Sequence, residues 1–254
     1  MSSFSRPDWV PMIPEGSRVL VTGATGGLGR ALVDMLLLGP DCTIGTHGNS
    51  QTFESEDPRI VPLQKAFTGE ADCRALVDEF ADKAGGIDGL VVLSGAIHYT
   101  GHWKGIEGAE WEKEIAVNLN QPFYLARAAM KHMSNNGGRI LLTGTESALH
   151  GGSPTSFPYA VAKRGTECMV QGLAREGAAD GILVNGMRFG YIESGFHQRW
   201  HNRTPEQMAE RADLVPLKRG GHVDEAAALM TYLLSDWAGF ITGQMIPLTG
   251  GDWL

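Results

Sequence analysis

The stretch that decides how this chain folds is Arg18-Val19-Leu20-Val21-Thr22-Gly23-Ala24-Thr25-Gly26-Gly27-Leu28-Gly29. An apolar, β-branched run leads directly into a glycine-rich turn, and helix-forming residues follow from Ala31 to Leu38. Glycines allow backbone N–H groups to approach a phosphate closely, and the positive end of the helix dipole then faces it. A strand, a glycine turn and a helix in this order therefore predict a nucleotide site. The residues expected to contact the nucleotide here are Gly23, Thr25, Gly26, Gly27, Leu28 and Gly29.

Further along the chain, strand-like and helix-like segments keep alternating. Strands are predicted at 18–21, 42–46, 59–63, 89–93, 138–143, 182–187 and 244–248. Helices are predicted at 31–38, 70–83, 107–133, 156–178 and 224–235, with an irregular segment at 191–216. Most of the strands are apolar on both faces, which is typical of a parallel sheet covered by helices on each side. We therefore predict an α/β protein with one doubly wound Rossmann-type domain at 17–254, preceded by an extended arm at 1–16.

Composition excludes several classes of function. The formal net charge of −8 argues against a nucleic-acid surface. Cys42, Cys73 and Cys168 are widely spaced and form no CxxC motif, so neither a disulfide framework nor a zinc knuckle is indicated, and free thiols fit a reducing compartment. No apolar run approaches the length of a membrane span, and the first residues contain no apolar signal-peptide core. We expect a cytoplasmic protein without membrane or nucleic-acid partners.

Tyr159 and Lys163 lie four residues apart in a predicted helix. Residues at this spacing are neighbours on one helical face, so the ammonium group can lie near the phenol. A nearby positive charge favours the phenolate and lowers the pKa of a tyrosine. A phenol tuned in this way is a candidate general acid or base. By itself this pair also occurs by chance on solvated helices, and its weight comes from the glycine turn upstream.

The end of the second predicted strand bears on the choice of nucleotide. Selection of NAD commonly uses an Asp or Glu at this point, to bind the ribose hydroxyl. The segment Thr46-His47-Gly48-Asn49-Ser50 has no carboxylate. We therefore expect NADP, with NAD as the alternative, and His47, Asn49 and Ser50 as candidate contacts of the 2′-phosphate. Arg30 is a further candidate, or else an ordinary solvated helix residue.

From about residue 17 to 254 the chain resembles the short-chain dehydrogenase/reductase family, and in particular its 3-oxoacyl-carrier-protein-reductase-like members. The resemblance rests on the glycine turn, the Tyr/Lys helix, Asn118 in Val117-Asn118-Leu119, and two segments near the end, at 216–219 and 241–251. It implies a seven-stranded parallel sheet, a nicotinamide cofactor, and hydride transfer to or from a carbonyl carbon of a small molecule. It also implies self-association, often as a homotetramer, with the helices at 107–133 and 156–178 forming one interface.

The resemblance assigns roles to four candidate catalytic residues. Tyr159 is expected to act as the general acid/base, Lys163 to tune it and hold the nicotinamide ribose, and Asn118 to bind a relay water. The position 13 residues before Tyr159, where the family commonly carries a catalytic Ser, holds Glu146. Alignment of the preceding strand instead places Thr145 on that Ser, and Thr keeps the hydroxyl donor. Ser147 is the competing candidate, and Thr145 also fits as an ordinary strand-end residue.

Two loops depart from the family pattern. After the fourth strand the family's Asn-Asn-Ala-Gly is replaced by Leu93-Ser94-Gly95-Ala96, which keeps small residues but loses the Asn side chains. After the sixth strand the usual Pro-Gly is Phe189-Gly190. Small residues still permit close backbone approach to a cofactor. The cofactor contacts expected in these loops are Ser94, Gly95, Ala96, Gly190 and Ile192.

Substrate contacts are expected from loops at the carboxyl ends of the strands. The candidates are His98, Trp103, Ser147, His150, Tyr191 and Phe196, and for each of them ordinary packing is an equally good interpretation. The segment at about 191–213 is predicted to be a lid over the substrate.

Two other functions fit parts of the sequence. His98 with His102, and His197 with His201, have the i,i+4 spacing that can bind zinc on a helix, but no HExxH motif accompanies them, so no metal is expected. A non-catalytic NAD(P)-binding regulator on the same fold is the other alternative, because fold does not fix function. Retention of both Tyr159 and Lys163 favours the enzyme.

Overall fold

The computed structural model describes residues 4–134 and 136–252, so the first three residues of the predicted arm and the last two of the predicted domain lie outside it. One parallel sheet runs through the molecule, in the order β3-β2-β1-β4-β5-β6-β7. Its strands are β1 (Ser17–Thr22), β2 (Cys42–Gly48), β3 (Ile60–Gln64), β4 (Gly89–Val92), β5 (Gly138–Thr145), β6 (Ile182–Phe189) and β7 (Met245–Leu248). The predicted seven-stranded, doubly wound α/β fold is confirmed.

Helices cover both faces of the sheet. They are α1 (Gly27–Leu37), α2 (Glu70–Ala84), α3 (Gly108–Ile115), α4 (Gln121–Met133), α5 (Phe157–Gly177), α6 (Phe196–His201), α7 (Pro205–Leu214) and α8 (Val223–Leu234). One apolar core lies between the sheet and α1 with α8, and the other between the sheet and α2, α4 and α5. Among these described helices, none combines the length and the apolar character needed to cross a bilayer.

Alternation of side chains along β1 explains how it serves both cores. Val19 and Val21 belong to the core on the α1 side, while Leu20 points to the other face and belongs to the α2 side. β1 pairs with β2 on one edge and with β4 on the other, so the direction of winding reverses between β1 and β4. Ligands of doubly wound folds bind in the crevice at this reversal, outside the carboxyl ends of the strands.

Two helical predictions need correction. The segment 191–216 is not irregular throughout, because it contains α6 and α7. Thr204 and Gln207 form a reciprocal capping box at the start of α7, with a proline in its first turn, and this local signal favours a helix. The predicted continuous helix at 107–133 is interrupted by a π-helical segment at Ala116–Asn120.

The amino-terminal segment lies across the α8 side of the molecule. Arg6 forms an ion pair of 2.8 Å with Asp224, and Phe4 stacks on His222 with ring centroids 4.7 Å apart. Val10 packs against the core, whereas Trp9 is 72% exposed. Val10, not Trp9, therefore anchors this segment to the body.

Candidate active site

A cavity of about 290 Å³ opens at the carboxyl ends of β1, β4, β5 and β6. It extends from the glycine turn to α6 and α7. Twelve of the residues singled out from the sequence line it: Leu28, Ser94, Gly95, Thr145, Ser147, His150, Tyr159, Lys163, Gly190, Tyr191, Ile192 and Phe196. Residues from six separate segments of the chain thus meet at one place.

The glycine turn between β1 and α1 leaves no room for side chains. Gly23 has a φ of +72°, and a Cβ there would lie 2.8 Å from the backbone nitrogen of Ser94. A Cβ on Gly29 would lie 2.4 Å from the carbonyl oxygen of Gly23, and one on Gly27 would lie 2.4 Å from that of Ser194. These distances are shorter than van der Waals contact, so glycine is required at all three positions.

The first backbone N–H groups of α1 are not bonded by any acidic side chain of the helix's first turn. Gly26 is the N-cap and makes no side-chain capping bond, and no acidic residue lies in the first turn. The first N–H groups of a helix have no intrahelical acceptor, and its dipole places partial positive charge there. This end of α1 is suited to bind an anionic group such as a pyrophosphate.

His47 is not placed to meet a 2′-phosphate, and that part of the prediction is wrong. Its ring is 1% exposed and stacks on Phe67, with Nε2 2.8 Å from the carbonyl oxygen of Lys65. Burial lowers its pKa, so the ring is neutral at pH 7. Asn49 and Ser50, by contrast, are exposed at the end of β2.

The loop after β4 is held from behind by Asn118. Its Nδ2 donates to the carbonyl oxygen of Ala96 at 2.8 Å, and its Oδ1 accepts from the Ala96 N–H at 3.3 Å. Asn118 lies in the π-helical segment and is fully buried. A Cβ on Gly95 would lie 3.2 Å from Asn118 Oδ1 and 3.8 Å from Lys163 Nζ. Ala96 is buried behind the loop, while Ser94 and Gly95 face the cavity.

The hydroxyl and amine groups singled out from the sequence come together on β5 and α5. Thr145 Oγ1 and Ser147 Oγ are hydrogen-bonded at 3.0 Å, and both residues line the cavity. Lys163 Nζ lies 5.7 Å from the centroid of the Tyr159 ring. Tyr159 and Lys163, four residues apart on α5, both line the cavity.

The electrostatics of this pair differ from the expectation. Burial raises the pKa of the Tyr159 phenol above its ordinary value, and the Glu114 carboxylate raises that pKa further. Burial also lowers the pKa of Lys163 to about 8. The net direction of the Tyr159 pKa is thus opposite to the one expected from Lys163, because loss of solvation is the largest influence on the phenol.

Glu114, on α3, is a buried carboxylate that the sequence analysis missed. It accepts hydrogen bonds from the backbone N–H groups of His98 and Tyr99, the second at 2.7 Å, and from Asn118 Nδ2 at 3.0 Å. Its exposure is 0%, and burial raises its pKa. Glu114 therefore joins the loop after β4 to the π-helical segment, next to the candidate catalytic residues.

Two residues proposed for substrate contact lie elsewhere. His98 and Trp103 do not line the cavity. The ring of His98 packs edge-on against Trp200, and Trp103 packs near Phe157, with 46% of its surface exposed. Glu114 accepts from the backbone N–H groups of His98 and Tyr99 and so fixes this part of the loop.

Charged side chains that no motif marked also line the cavity. They are Glu146, Arg203, Arg211 and Asp252. Arg211 and Asp252 form a hydrogen-bonded ion pair across 41 residues of sequence, with Asp252 8% exposed. Such pairs leave no local pattern, so no signal in the sequence identified them. Glu146 entered the sequence analysis only as the residue that displaces the expected Ser.

Within residues 4–134 and 136–252, no group of three or more His, Cys, Asp or Glu side chains is arranged to hold a metal ion. Of the two histidine pairs, His102 bonds the backbone N–H of Lys104 through Nδ1 at 3.2 Å. The side chain of His201 lies outside the described residues.

Comparison with known proteins places the chain in a family. The family model described as enoyl-(acyl carrier protein) reductase matches residues 49–252. The 3-oxoacyl-[acyl-carrier-protein] reductase FabG of Salmonella typhimurium is 30% identical over 245 residues, covering 94% of this chain and 98% of the relative. The chain belongs to the short-chain dehydrogenase/reductase family. Members of this family are oxidoreductases that bind NAD(H) or NADP(H).

Other members of the family agree with this assignment. Acetoacetyl-CoA reductase of Allochromatium vinosum is 29% identical over 244 residues, covering 91% of this chain and 96% of the relative. Aldohexose dehydrogenase of Thermoplasma acidophilum superposes with a TM-score of 0.83 at 22% identity, covering 93% of this chain and 94% of that one. A short-chain type dehydrogenase/reductase from Mycobacterium ulcerans gives 0.82 at 23% identity, with coverage of 94% and 90%. At these identities the two structures show the common fold alone.

Proposed function

We propose that the protein is an NADP(H)-dependent reductase of a small carbonyl compound, with Tyr159 as the general acid. The observation that carries this proposal is the meeting of Thr145, Tyr159 and Lys163 on the cavity that begins at the glycine turn. A proton donor, a hydroxyl group and an amine beside a phosphate-binding turn fit carbonyl reduction in this family. Catalysis by a positioned acid requires this kind of convergence.

The residues present fit a nicotinamide dinucleotide. Gly23, Gly27 and Gly29 form a tight turn with no room for a Cβ, and the start of α1 carries uncapped N–H groups suited to the pyrophosphate. Ser94, Gly95 and the segment at 190–194 border the same crevice. When bound, the nicotinamide supplies the hydride to the substrate carbon.

The chain's own residues then manage the proton and the developing charge. At neutral pH the raised pKa keeps the phenol of Tyr159 protonated, which is the form that an acid needs for reduction. An alkoxide is a stronger base than a phenolate, so transfer of the phenol proton to the developing alkoxide is downhill. The hydroxyl of Thr145, or that of Ser147 bonded to it, donates to the same oxygen. Lys163, with a pKa of about 8, carries positive charge in much of the population at pH 7 and offsets the phenolate that forms.

Preference for NADP(H) over NAD(H) is part of the proposal. The end of β2 carries no carboxylate that would repel a 2′-phosphate, and the exposed Asn49 and Ser50 can donate to it. His47 is removed from the candidate set by its burial. Arg30 is exposed at the start of α1, but its Nε already donates to the Thr25 carbonyl oxygen at 3.3 Å.

The segment at 191–213 is proposed to close over the substrate. α6 and α7 lie within it, and both contribute residues to the cavity wall. Beneath them Tyr191, Met208 and Val215 form a small apolar cluster separate from the two main cores. Local opening of a segment that packs on its own small cluster requires less free energy than unfolding of the central sheet.

Replacement of Tyr159 with Phe tests the catalytic part of the proposal. We expect Tyr159→Phe to lower kcat by roughly 100-fold or more, because a positioned general acid contributes about that much. The measurement is oxidation of NADPH and NADH against a panel of ketones and aldehydes, including acetoacetyl-CoA because a relative is named for it. Fluorescence titration with each nucleotide should give the same affinity for the variant as for the parent protein.

Tyr232→Phe is the matched control, since Tyr232 lies on α8 and is not among the cavity-lining residues. It should leave kcat unchanged. Equal turnover by Tyr159→Phe and the parent protein would remove the phenol from the mechanism. Tight binding of NADPH without reduction of any carbonyl would instead favour a regulatory protein on this fold.

A further inference from the structure

Glu146 is a buried carboxylate on the cavity wall with an unmet hydrogen-bonding capacity. It directly follows β5, in the short 3-10 segment Glu146–Leu149, and is 5% exposed. Its Oε2 is buried and has no hydrogen-bond partner among the described residues. Buried carboxylate oxygens are normally bonded, because an unpaired one loses the solvation of water without replacement. Glu146 therefore requires an explanation that the fold alone does not provide.

Arg188, whose charge acts on Glu146, and Arg211, which lines the same cavity, are both bonded to other carboxylates. Arg188 attracts the Glu146 charge, but its Nε donates to Glu167 Oε1 at 3.0 Å. Arg211 is bonded to Asp252, whose charge opposes that of Glu146. No ion pair within the described chain therefore stabilises Glu146. In line with this, burial raises the pKa of its carboxyl group, with the repulsion from Asp252 and Glu167 adding to the effect and His150 opposing it.

The charges around the cavity indicate which kind of substrate group could donate a hydrogen bond to Glu146. Leaving histidines aside, three cationic side chains, Lys163, Arg203 and Arg211, line the cavity with two carboxylates, Glu146 and Asp252. This excess of positive charge disfavours a substrate ammonium group. A hydroxyl group is neutral, and it can both donate to a carboxylate and accept from a guanidinium. Arg203 lines the same cavity and makes no side-chain ion pair among the described residues, so it can supply such a donor.

We propose that Glu146 binds a hydroxyl group of the substrate, so that the enzyme prefers hydroxylated carbonyl compounds over their deoxy analogues. The inference rests on the proposed reductase function and names the substrate class for that same cavity. A site built to bond a substrate hydroxyl rejects the analogue that lacks it, because the buried polar group is then left unpaired.

Matched substrate pairs test the proposal. The pairs are 3-hydroxy-2-butanone with 2-butanone, and hydroxyacetone with acetone, each assayed with NADPH and with NADH. We expect kcat/KM to favour the hydroxyketone of each pair. The preference is the kcat/KM of the hydroxyketone divided by that of its deoxy partner. The hydroxyl group also changes the intrinsic reactivity of the carbonyl, and this effect is the same for every variant. The decisive quantity is therefore the preference of the parent protein divided by the preference of Glu146→Leu. This quotient should be roughly 10- to 100-fold, the effect of one hydrogen bond to a charged group.

Two further variants separate binding from structure. Glu146→Gln keeps the size of the side chain and one acceptor oxygen, and it should give an intermediate preference. If Glu146→Leu fails to fold, the substrate preference of Glu146→Gln is compared with that of the parent protein instead. Glu176→Gln, an exposed carboxylate on α5 that is not among the cavity-lining residues, should keep the preference of the parent protein. A merely structural role for Glu146 would change the rates of both ketones of a pair alike.

The outcomes distinguish this inference from the proposed function. Reduction of both ketones in each pair with a preference that Glu146→Leu and Glu146→Gln leave unaltered would overturn the inference and leave the reductase intact. Such a result would mean that Oε2 is satisfied by water. Failure to reduce any carbonyl of the wider panel would remove the proposed function, and the inference with it.

Discussion

Glu114 and Glu146 are two buried carboxylates near the candidate catalytic residues, and their surroundings differ. Glu114 accepts three hydrogen bonds, from His98, Tyr99 and Asn118. Glu146 has one oxygen without any partner in the described chain, and Arg188, whose charge acts on it, is bonded to Glu167. Burial raises the pKa of both groups. The two carboxylates are therefore similarly buried, but Glu114 is hydrogen-bonded and Glu146 Oε2 is not.

The difference separates a carboxylate that holds the fold from one that is available to a ligand. Glu114 ties two segments of backbone together and is not among the cavity-lining residues. Glu146 lines the cavity, where a substrate can supply the missing donor. Removal of a hydrogen-bonded buried charge is expected to destabilise the fold, whereas removal of an unbonded one relieves a desolvation cost.

The largest effect is expected from Glu114→Leu. This change leaves the N–H groups of His98 and Tyr99 and the amide of Asn118 without their acceptor, at about 1–3 kcal/mol for each unsatisfied group. We expect the free energy of unfolding to fall by about 3–5 kcal/mol in urea denaturation. Glu114→Gln, which keeps one acceptor oxygen, should lose less. Equal stability of Glu114→Leu and the parent protein would contradict the structural role of this carboxylate.

A smaller effect of opposite sign is expected from Glu146→Leu. Removal of a buried carboxylate oxygen without a partner relieves its desolvation, so the free energy of unfolding at pH 7 should rise by about 1–2 kcal/mol. Thermal and urea unfolding measure the change, with exposed Glu176→Leu as the control that should stay within about 0.5 kcal/mol. A loss of stability in Glu146→Leu would show that Oε2 takes part in a bond that holds the fold, and the contrast with Glu114 would disappear.

The smallest effect is the dependence of stability on pH. The pKa of Glu146 is raised in the folded protein, so between the ordinary carboxyl pKa and this raised value the folded state binds more protons than the unfolded state. Stability from this group is therefore present at low pH and is lost as the pH rises through that window. Glu146→Gln should lose less stability than the parent protein over the same rise in pH, in urea titrations at successive pH values. Parallel curves would indicate that Glu146 has an unshifted pKa.

Most of the fold could be predicted from the sequence because its signals are local. The continuous apolar run at 89–92 and the glycines after β1 each specify a conformation without reference to distant residues. The helical spacing of Tyr159 and Lys163 likewise placed both side chains on one cavity. Even α7 has a local signal, in the Thr204/Gln207 capping box.

The rest of the site depends on contacts between residues far apart in the chain. The bond of Arg211 to Asp252 spans 41 residues, and the clamp of Glu114 on the backbone of His98 spans 16. Burial of His47 under Phe67 follows from packing that no short pattern encodes. The direction of the Tyr159 pKa depends on tertiary packing in the same way, since helical spacing identifies a charged neighbour but not the degree of desolvation.

The π-helical turn at Ala116–Asn120 has a consequence for how this part of the protein tolerates length changes. A π-bulge contains one residue more than the regular helical path, so excision of a single residue such as Val117 would restore an uninterrupted helix. α3 and α4 would keep their faces toward their present neighbours, and the architecture would survive the deletion. Asn118 lies in this segment and bonds the backbone of Ala96, so a deletion here would act directly on the loop after β4.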